Sequence, residues 1–282
     1  MKNLYIQIVL FLLSVSVNLN NKALATDPTP GKFTTPKPPD RCLTSEEIFE
    51  KNKHLLCNDP KEIKNAEELM NEAVKHLERH ATDTHDYKIC ENFVDSDMNL
   101  YKKKHEGHID INKIDYTMHS YYDYNDIINE IWDPDTPNVF NNGDVKIVRV
   151  YNPNLVMIQH RYKKKSMDRQ KYFYALATKT QISEGKTIIA MTSANINDHN
   201  PSGKKYENKI VQKANSFTTD INSEEDIKNG ELKKVFVNIA GYLIEKKNRY
   251  ADATYVESID GHDSIKCKAH AGFCCFYYYT HA

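Results

Sequence analysis

"VKIVRVYNPNLVMIQHRY", Val145–Tyr162, is the stretch that decides the fold. It divides into two strand-like segments, the first over Val145–Asn152 and the second from Leu155, both rich in β-branched and aromatic residues. Alternate side chains of a strand share one face. Alternation groups Val145, Ile147, Arg149 and Tyr151 on the first strand, and Leu155, Met157, Gln159 and Arg161 on the second. An arginine or glutamine among apolar residues suits a phosphate or an ester group; the plain alternative places Arg149 and Arg161 on the outer face of the sheet.

Strands continue towards the C-terminus as "QKYFYALATKT", "KTIIAMTSANI", "KKVFVNIAGYLIEK" and "RYADATYVESI". Tyr172, Tyr174 and Leu176 share a face of the first of these. Ser183-Glu184-Gly185 forms a tight turn, Asn195–Asn208 is a long polar loop, and "IVQKANSF" reads as a further strand. Upstream, "MNLYKKKHEG" and "HIDINKIDYTMHS" form a hairpin about Gly107. "DYNDIINEIWD" is a short helix with Ile127, Ile128, Ile131 and Trp132 on its apolar face, ended by Pro134.

Two helices come first. "LTSEEIFEKNKHLL" opens with Thr44 and Glu47 in capping-box spacing. The second has Asp59 as N-cap and Pro60 at its first position. Its apolar stripe is Ile63, Leu69, Met70, Ala73, Val74 and Leu77. The order is α+β. A large antiparallel sheet with few helices must curl to cover its apolar face, and so encloses a core or a cavity.

Met1–Ala25 reads as a secretory signal, with Lys2, an apolar run from Ile6 to Val17, and "ALA" at its end. Residues 26–40, with five prolines, form an extended linker. An N-terminal helical segment spans 41–65, the main domain 66–265, and an atypical tail 266–282. Secretion permits disulfides, and Cys42 and Cys57, which flank a short helix, are expected to pair. The pairing of Cys90, Cys267, Cys274 and Cys275 stays open. Cys267, His270, Cys274 and Cys275 offer a weak metal cluster, with nothing in the tail to support the ligands.

Charge is balanced, 38 basic against 39 acidic residues, which argues against a nucleic-acid partner. No phosphate-binding glycine loop, serine-hydrolase elbow or HExxH zinc motif occurs. No nucleophile has a base beside it, so no enzyme activity is expected. His76, His80 and His85 read as a solvated helix end, and Asp133/Asp135 and Glu224/Glu225 as solvated loop carboxylates. Arg161 to Lys171 is strongly basic. A solvated turn is the plain reading; docking on anionic lipid through Lys163, Lys164 and Lys165 is the functional one.

The segments "NDIINEIWDPDTPNVFN", "VKIVRVYNPNLVMIQHRY", "SMDRQKYFYALATKTQISEGKTIIAMTSANI" and "VFVNIAGYLIEKKNRYADATYVESIDGHDSI" together resemble a START lipid-transfer domain. The resemblance runs from about Ala66 to Ile265 and is closest to the fam-a family, secreted START-like proteins of intracellular blood parasites. It implies a helix-grip fold: a curved antiparallel sheet around a lipid tunnel closed by a C-terminal helix. It implies non-enzymatic binding and transfer of a phosphatidylcholine-like phospholipid, transient contact with membranes, and no cofactor beyond that ligand. It also implies secretion, with export to the host cell or its surrounding vacuole. "RCLTS", Arg41–Ser45, resembles an export cleavage signal broken at Ser45.

The lipid-binding residues expected on this basis are Trp132, Asn138, Arg149, Met157, Gln159, Arg161, Arg169, Tyr172 and Tyr174. The sequence departs from the family pattern in three places. "DPDTPN" carries no arginine, and Asn138 stands where an aspartate is expected. Gln170 follows Arg169 in place of an aspartate. After "IDGHDSI" the tail lacks an apolar stripe of helical period, so the closing helix is expected to be missing. Two rival readings are a START-shaped interaction or surface protein without lipid transfer, and a cyclase-like enzyme in a curled-sheet cavity.

Overall fold

The computed structural model describes residues 42–93, 98–106, 109–118, 123–136, 143–164, 168–202 and 206–261. The signal-like segment, the linker, Gly107, Asn138, Lys165 and the tail, with its cysteines and the expected lack of a closing helix, lie outside them.

Two helices open the described chain. In α1 (Ser45–Lys51) the Thr44 side chain accepts from the Glu47 N–H while Glu47 accepts from the Thr44 N–H, the expected capping box. The longer α2 (Pro60–Thr82) starts at Asp59, whose side chain accepts from the Lys61 N–H. It runs unbroken through the boundary expected at 65/66. Next come β1 (Lys88–Phe93), β2 (Met98–His105), β3 (Ile109–Met118) and α3 (Tyr124–Trp132), then β4 (Gly143–Asn152), β5 (Leu155–Tyr162), β6 (Lys171–Ser183) and β7 (Lys186–Thr192). A long excursion holds β8 (Asn195–Asn197), β9 (Thr218–Asp220) and the short α4 (Glu225–Lys228). Finally β10 (Lys233–Lys234), β11 (Phe236–Lys246) and β12 (Ala251–Asp260) return to the sheet.

The main sheet has the order β1-β2-β3-β12-β11-β7-β6-β5-β4, antiparallel throughout, with β10 adding a short parallel pairing to β6. It is not closed: β1 and β4 are its two ends. This is the expected α+β arrangement of a curved antiparallel sheet with a few helices.

Both faces of the central strands are buried. On one face Leu155, Met157, Tyr172, Tyr174 and Leu176 pack against Ala66, Leu69, Met70, Ala73 and Leu77 of α2. On the other, Val156, Ile158, Phe173, Ala175, Ala177 and Ile189 pack with Ile48 of α1 and Ile127, Ile128 and Trp132 of α3. Each fully buried leucine of the α2 stripe stabilises the fold by roughly 1.5–3 kcal/mol. These are called below the α2 face and the α3 face.

A bulge in β4 between Ile147 and Arg149 corrects the expected alternation. Val145 and Ile147 belong to the α3 face, whereas Tyr151 joins the α2 face and Arg149 bonds Glu62 of α2. The strand expected at "IVQKANSF" is instead a 3-10 turn over Gln212–Asn215. Asn208 Oδ1 accepts from the Ile210 and Val211 N–H groups, and Asn215 bonds the Asn208 backbone, so side chains satisfy the groups a strand ladder would use. Strands β1, β8 and β9 were not expected. The Cys42–Cys57 bridge is also absent. Both are free thiols, Cys42 Sγ lying by Thr136 Oγ1 and Cys57 being held by its N–H to Val150 O.

Gly241 lets β11 and β7 approach. A Cβ built there would lie 2.0 Å from Ile189 O and 2.9 Å from Ala190 Cα, with φ at +147°. Neither atom belongs to a flexible side chain. Gly241→Ala is therefore expected to destabilise the fold by about 1–3 kcal/mol or more, read as a lower urea midpoint. An unchanged midpoint would contradict this packing.

Candidate functional site

Most of the residues expected to bind lipid sit on the α2 face and anchor other parts of the chain. Arg149 Nη1 donates to Glu62 Oε1 at 2.7 Å, and Nη2 to Asp220 O at 2.9 Å; it also contacts Thr219 Oγ1. The Tyr151 hydroxyl donates to the same Glu62 oxygen at 2.8 Å. The arginine thereby ties β4 to α2 and to β9.

Gln159, Arg161, Tyr172 and Tyr174 are brought together beneath the excursion. Arg161 grips Asp226 with both terminal nitrogens, at 2.6 and 2.9 Å, and donates from Nε to Gln159 Oε1 at 3.2 Å. Gln159 Nε2 donates to Glu224 Oε2 at 2.6 Å and to the Tyr174 hydroxyl at 2.5 Å. The Tyr172 hydroxyl donates to Asp198 at 2.8 Å, and Asp198 pairs with Lys234 at 2.9 Å. Burial, then the Asp198 charge, pushes the Tyr172 phenol far above its ordinary range, so it stays a donor. Met157 is wholly buried against α2. Arg169 is spent on Gly230 O at 3.0 Å. These groups fasten segment 198–230 to the sheet.

In each of the two carboxylate pairs expected to be solvated, one member is not. Asp133 is buried and accepts from the Leu43 N–H at 2.9 Å, which fixes the chain before α1; its neighbour Asp135 pairs with Lys51 at the surface. Glu224 belongs to the network just described, while Glu225 pairs with Lys228. Nor is His80 solvated: burial first, then Arg79, lowers its pKa to about 3, so it stays neutral. No group of three metal-ligating side chains forms among the described residues. Lys163 and Lys164 are exposed at the end of β5.

Of the expected set, Trp132 reaches the α3 face. There it borders a cavity of about 70 Å³ with Ile147, Val156, Ile158, His160 and Met191. Its indole N–H has no acceptor among the described residues. Beyond His160 the same face holds a cluster that sequence reasoning missed. The Tyr255 hydroxyl donates at 3.0 Å to Glu257, a carboxylate only 2% exposed. The His160 ring lies 4.4 Å from Tyr162 and 5.0 Å from Phe173, and Tyr242 lies 4.8 Å from Tyr255. Burial, then the Glu257 charge, raises the Tyr162 and Tyr255 phenols well above their usual value. A buried carboxylate thus stands beside aromatic rings on this face. Such a site accepts a hydroxyl, or a cation against ring faces. The available signal was alternation read in its other phase: Val156, Ile158, His160 and Tyr162, then Ala251, Ala253, Tyr255 and Glu257.

No protein-family model and no curated protein matches the chain; the likeness is structural. The fold is similar to human STARD10, with a TM-score of 0.50 at 8% identity over 73% of this chain and 75% of that one. It is similar to human StAR-related lipid transfer protein 5, with a TM-score of 0.51 at 13% identity over 76% and 93% of the two chains. The chain has a START-like fold.

Burial works to raise the Glu224 pKa, but hydrogen bonds from Gln159 and Lys146 outweigh it and hold the group at about 2, against 4.5 ordinarily. A depressed carboxylate contributes stability above its unfolded pKa that is lost as pH falls through its folded one. The stability gap between the parent and Glu224→Gln should therefore be largest above about pH 4.5 and shrink towards pH 2. Partial exposure keeps it modest. Urea unfolding across that range checks this, and a gap independent of pH would contradict it.

Proposed function

We propose that the chain binds one phospholipid against the α3 face and carries it between membranes without altering it. The observation that carries this reading is the buried Tyr255–Glu257 pair, set among aromatic rings beside an apolar cavity. The START-like fold supports it, since a similar solved structure is that of human StAR-related lipid transfer protein 5. The head group is of the phosphatidylcholine type. A quaternary ammonium suits ring faces and a carboxylate, and a bare phosphate monoester does not. Arg149 and Arg161 are engaged by Glu62 and Asp226 on the opposite face, so neither is the phosphate partner.

A cavity of about 70 Å³ is far below the roughly 300–1,000 Å³ of ordinary ligand pockets. Loading therefore requires α1 and α3 to move off the sheet. The same small volume favours the second reading, a START-shaped interaction module that does not transfer lipid. Membership of the fam-a family, secretion and export belong to this proposal, supported by the signal-like Met1–Ala25 and the segment resemblance. Transient docking on anionic membrane belongs to it too, through Lys163 and Lys164, with Lys165 next in sequence.

Native mass spectrometry after incubation with vesicles should find one phosphatidylcholine per chain. Phosphatidic acid should load less well, and Glu257→Gln should retain at least tenfold less choline lipid. A chain that takes up no lipid would support the interaction module, and equal loading of phosphatidic acid would remove the head-group assignment. Separately, Lys163→Glu with Lys164→Glu should weaken binding to anionic vesicles at low salt, an effect that fades as salt rises. Unchanged binding would exclude this docking end.

A further inference from the structure

A second cavity lies at the far end of the sheet from Lys163, between the starts of α1 and α3, the β6–β7 turn and the end of β11. It is an open groove of about 930 Å³ and shares no lining residue with the apolar cavity. Lys179 lines the groove, and its Nζ lies 5.9 Å from the centroid of the Trp132 ring, which borders the apolar cavity. These two side chains form part of the partition between a polar and an apolar space.

Lys179 is half-buried, and no acceptor among the described residues lies within hydrogen-bonding distance of its Nζ. Desolvation lowers its pKa, and Glu46, at the groove wall, is the acidic group that opposes this. Among the described residues, several part-buried cations have a carboxylate partner, while the buried Lys113 donates to the Asp83 carbonyl. Arg149 has Glu62, Arg161 has Asp226, and Lys103 has Asp83. A desolvated cation without a direct acceptor favours an anion in its place. The neutral amides of Asn125, Asn129, Asn154 and Gln181 line the same groove and supply N–H donors of the kind phosphate oxygens accept. Glu46 and Glu184 also line it and set a limit on how much negative charge it takes.

We propose that this groove is a phosphate-binding site, with Lys179 as counter-charge and the surrounding amides as donors. The phosphate is either a free ion or the head group of a phospholipid at a membrane surface; the chemistry is the same. The site is separate from the lipid seat on the α3 face and does not depend on that seat being filled.

Trp132 is the only tryptophan of the chain, and its ring lies 5.9 Å from Lys179 Nζ, so its fluorescence reports on changes at Lys179. The full chain, free of lipid, is titrated with inorganic phosphate at constant ionic strength made up with sodium chloride. A saturable change in emission is expected. Lys179→Met should weaken it at least tenfold, Lys179→Arg should keep it, and Asn129→Asp should weaken it by adding negative charge. Vesicles of phosphatidylcholine with phosphatidylglycerol form the second arm. A response to vesicles alone that Lys179→Met removes identifies the head group as the source, and a response to both that it removes identifies phosphate of either origin; a vesicle response that Lys179→Met leaves intact belongs to lipid on the α3 face and counts against the groove. No response in either arm, or an unchanged response in a folded Lys179→Met protein, would overturn the proposal.

Discussion

Six consecutive residues of β5, Leu155 to His160, are buried, so this strand has no solvent face. Antiparallel sheets commonly leave one face wet. Here the middle of the sheet is apolar on both sides, and the chain must provide two covers. The α2 helix and the excursion around β8, β9 and α4 supply one; α1 and α3 supply the other. The rest of the molecule follows from that constraint. Leu69 and Leu77 are buried because α2 lies along the central strands, and Gly241 is needed because β11 and β7 meet closely beneath them.

The two covers are held differently. The α2 face is fastened by charge: Arg149 to Glu62, Arg161 to Asp226, and Gln159 to Glu224. Removing one partner would leave a desolvated group without its match, and this fixes the cover in place. The α3 face relies mainly on apolar contact between short helices and the sheet, with one hydrogen bond from the Tyr124 hydroxyl to Ile244 O at 3.2 Å and Leu43 tied to Asp133 at its margin. A cover held by packing moves at smaller cost than one locked by paired charges. The face with the looser cover also has the cavity and the buried Glu257. That is the physical basis for placing the ligand there.

Much of the fold was legible because local signals agreed with the tertiary ones. Asp59-Pro60 announced α2, Thr44 and Glu47 announced α1, and the long apolar strands stood out from polar turns. Short pieces were not legible. β8 and β9 are each three residues long and exist through pairing with each other. The candidate site was legible only in part, for a specific reason. Alternation tells which residues share a face, but not which face receives the ligand. On β5 both phases carry polar residues, Gln159 and Arg161 on one, His160 and Tyr162 on the other. The arginine phase drew the assignment, and its counter-charges lay over 60 residues away, at Asp226 and Glu224, in a segment read as loop. The β4 bulge added a second error, because one extra residue moves the side chains that follow it, up to the next irregularity between Val150 and Asn152, to the opposite face.

The central claim is that lipid lies on the α3 face. It is tested most directly by photo-crosslinking with a phosphatidylcholine that carries a diazirine on one acyl chain, followed by peptide mapping. The account predicts adducts on residues such as Trp132, Ile147, Val156, Ile158 and Met191, which border the apolar cavity. Adducts concentrated on Met157, Tyr172, Tyr174 or the buried stripe of α2 would contradict it.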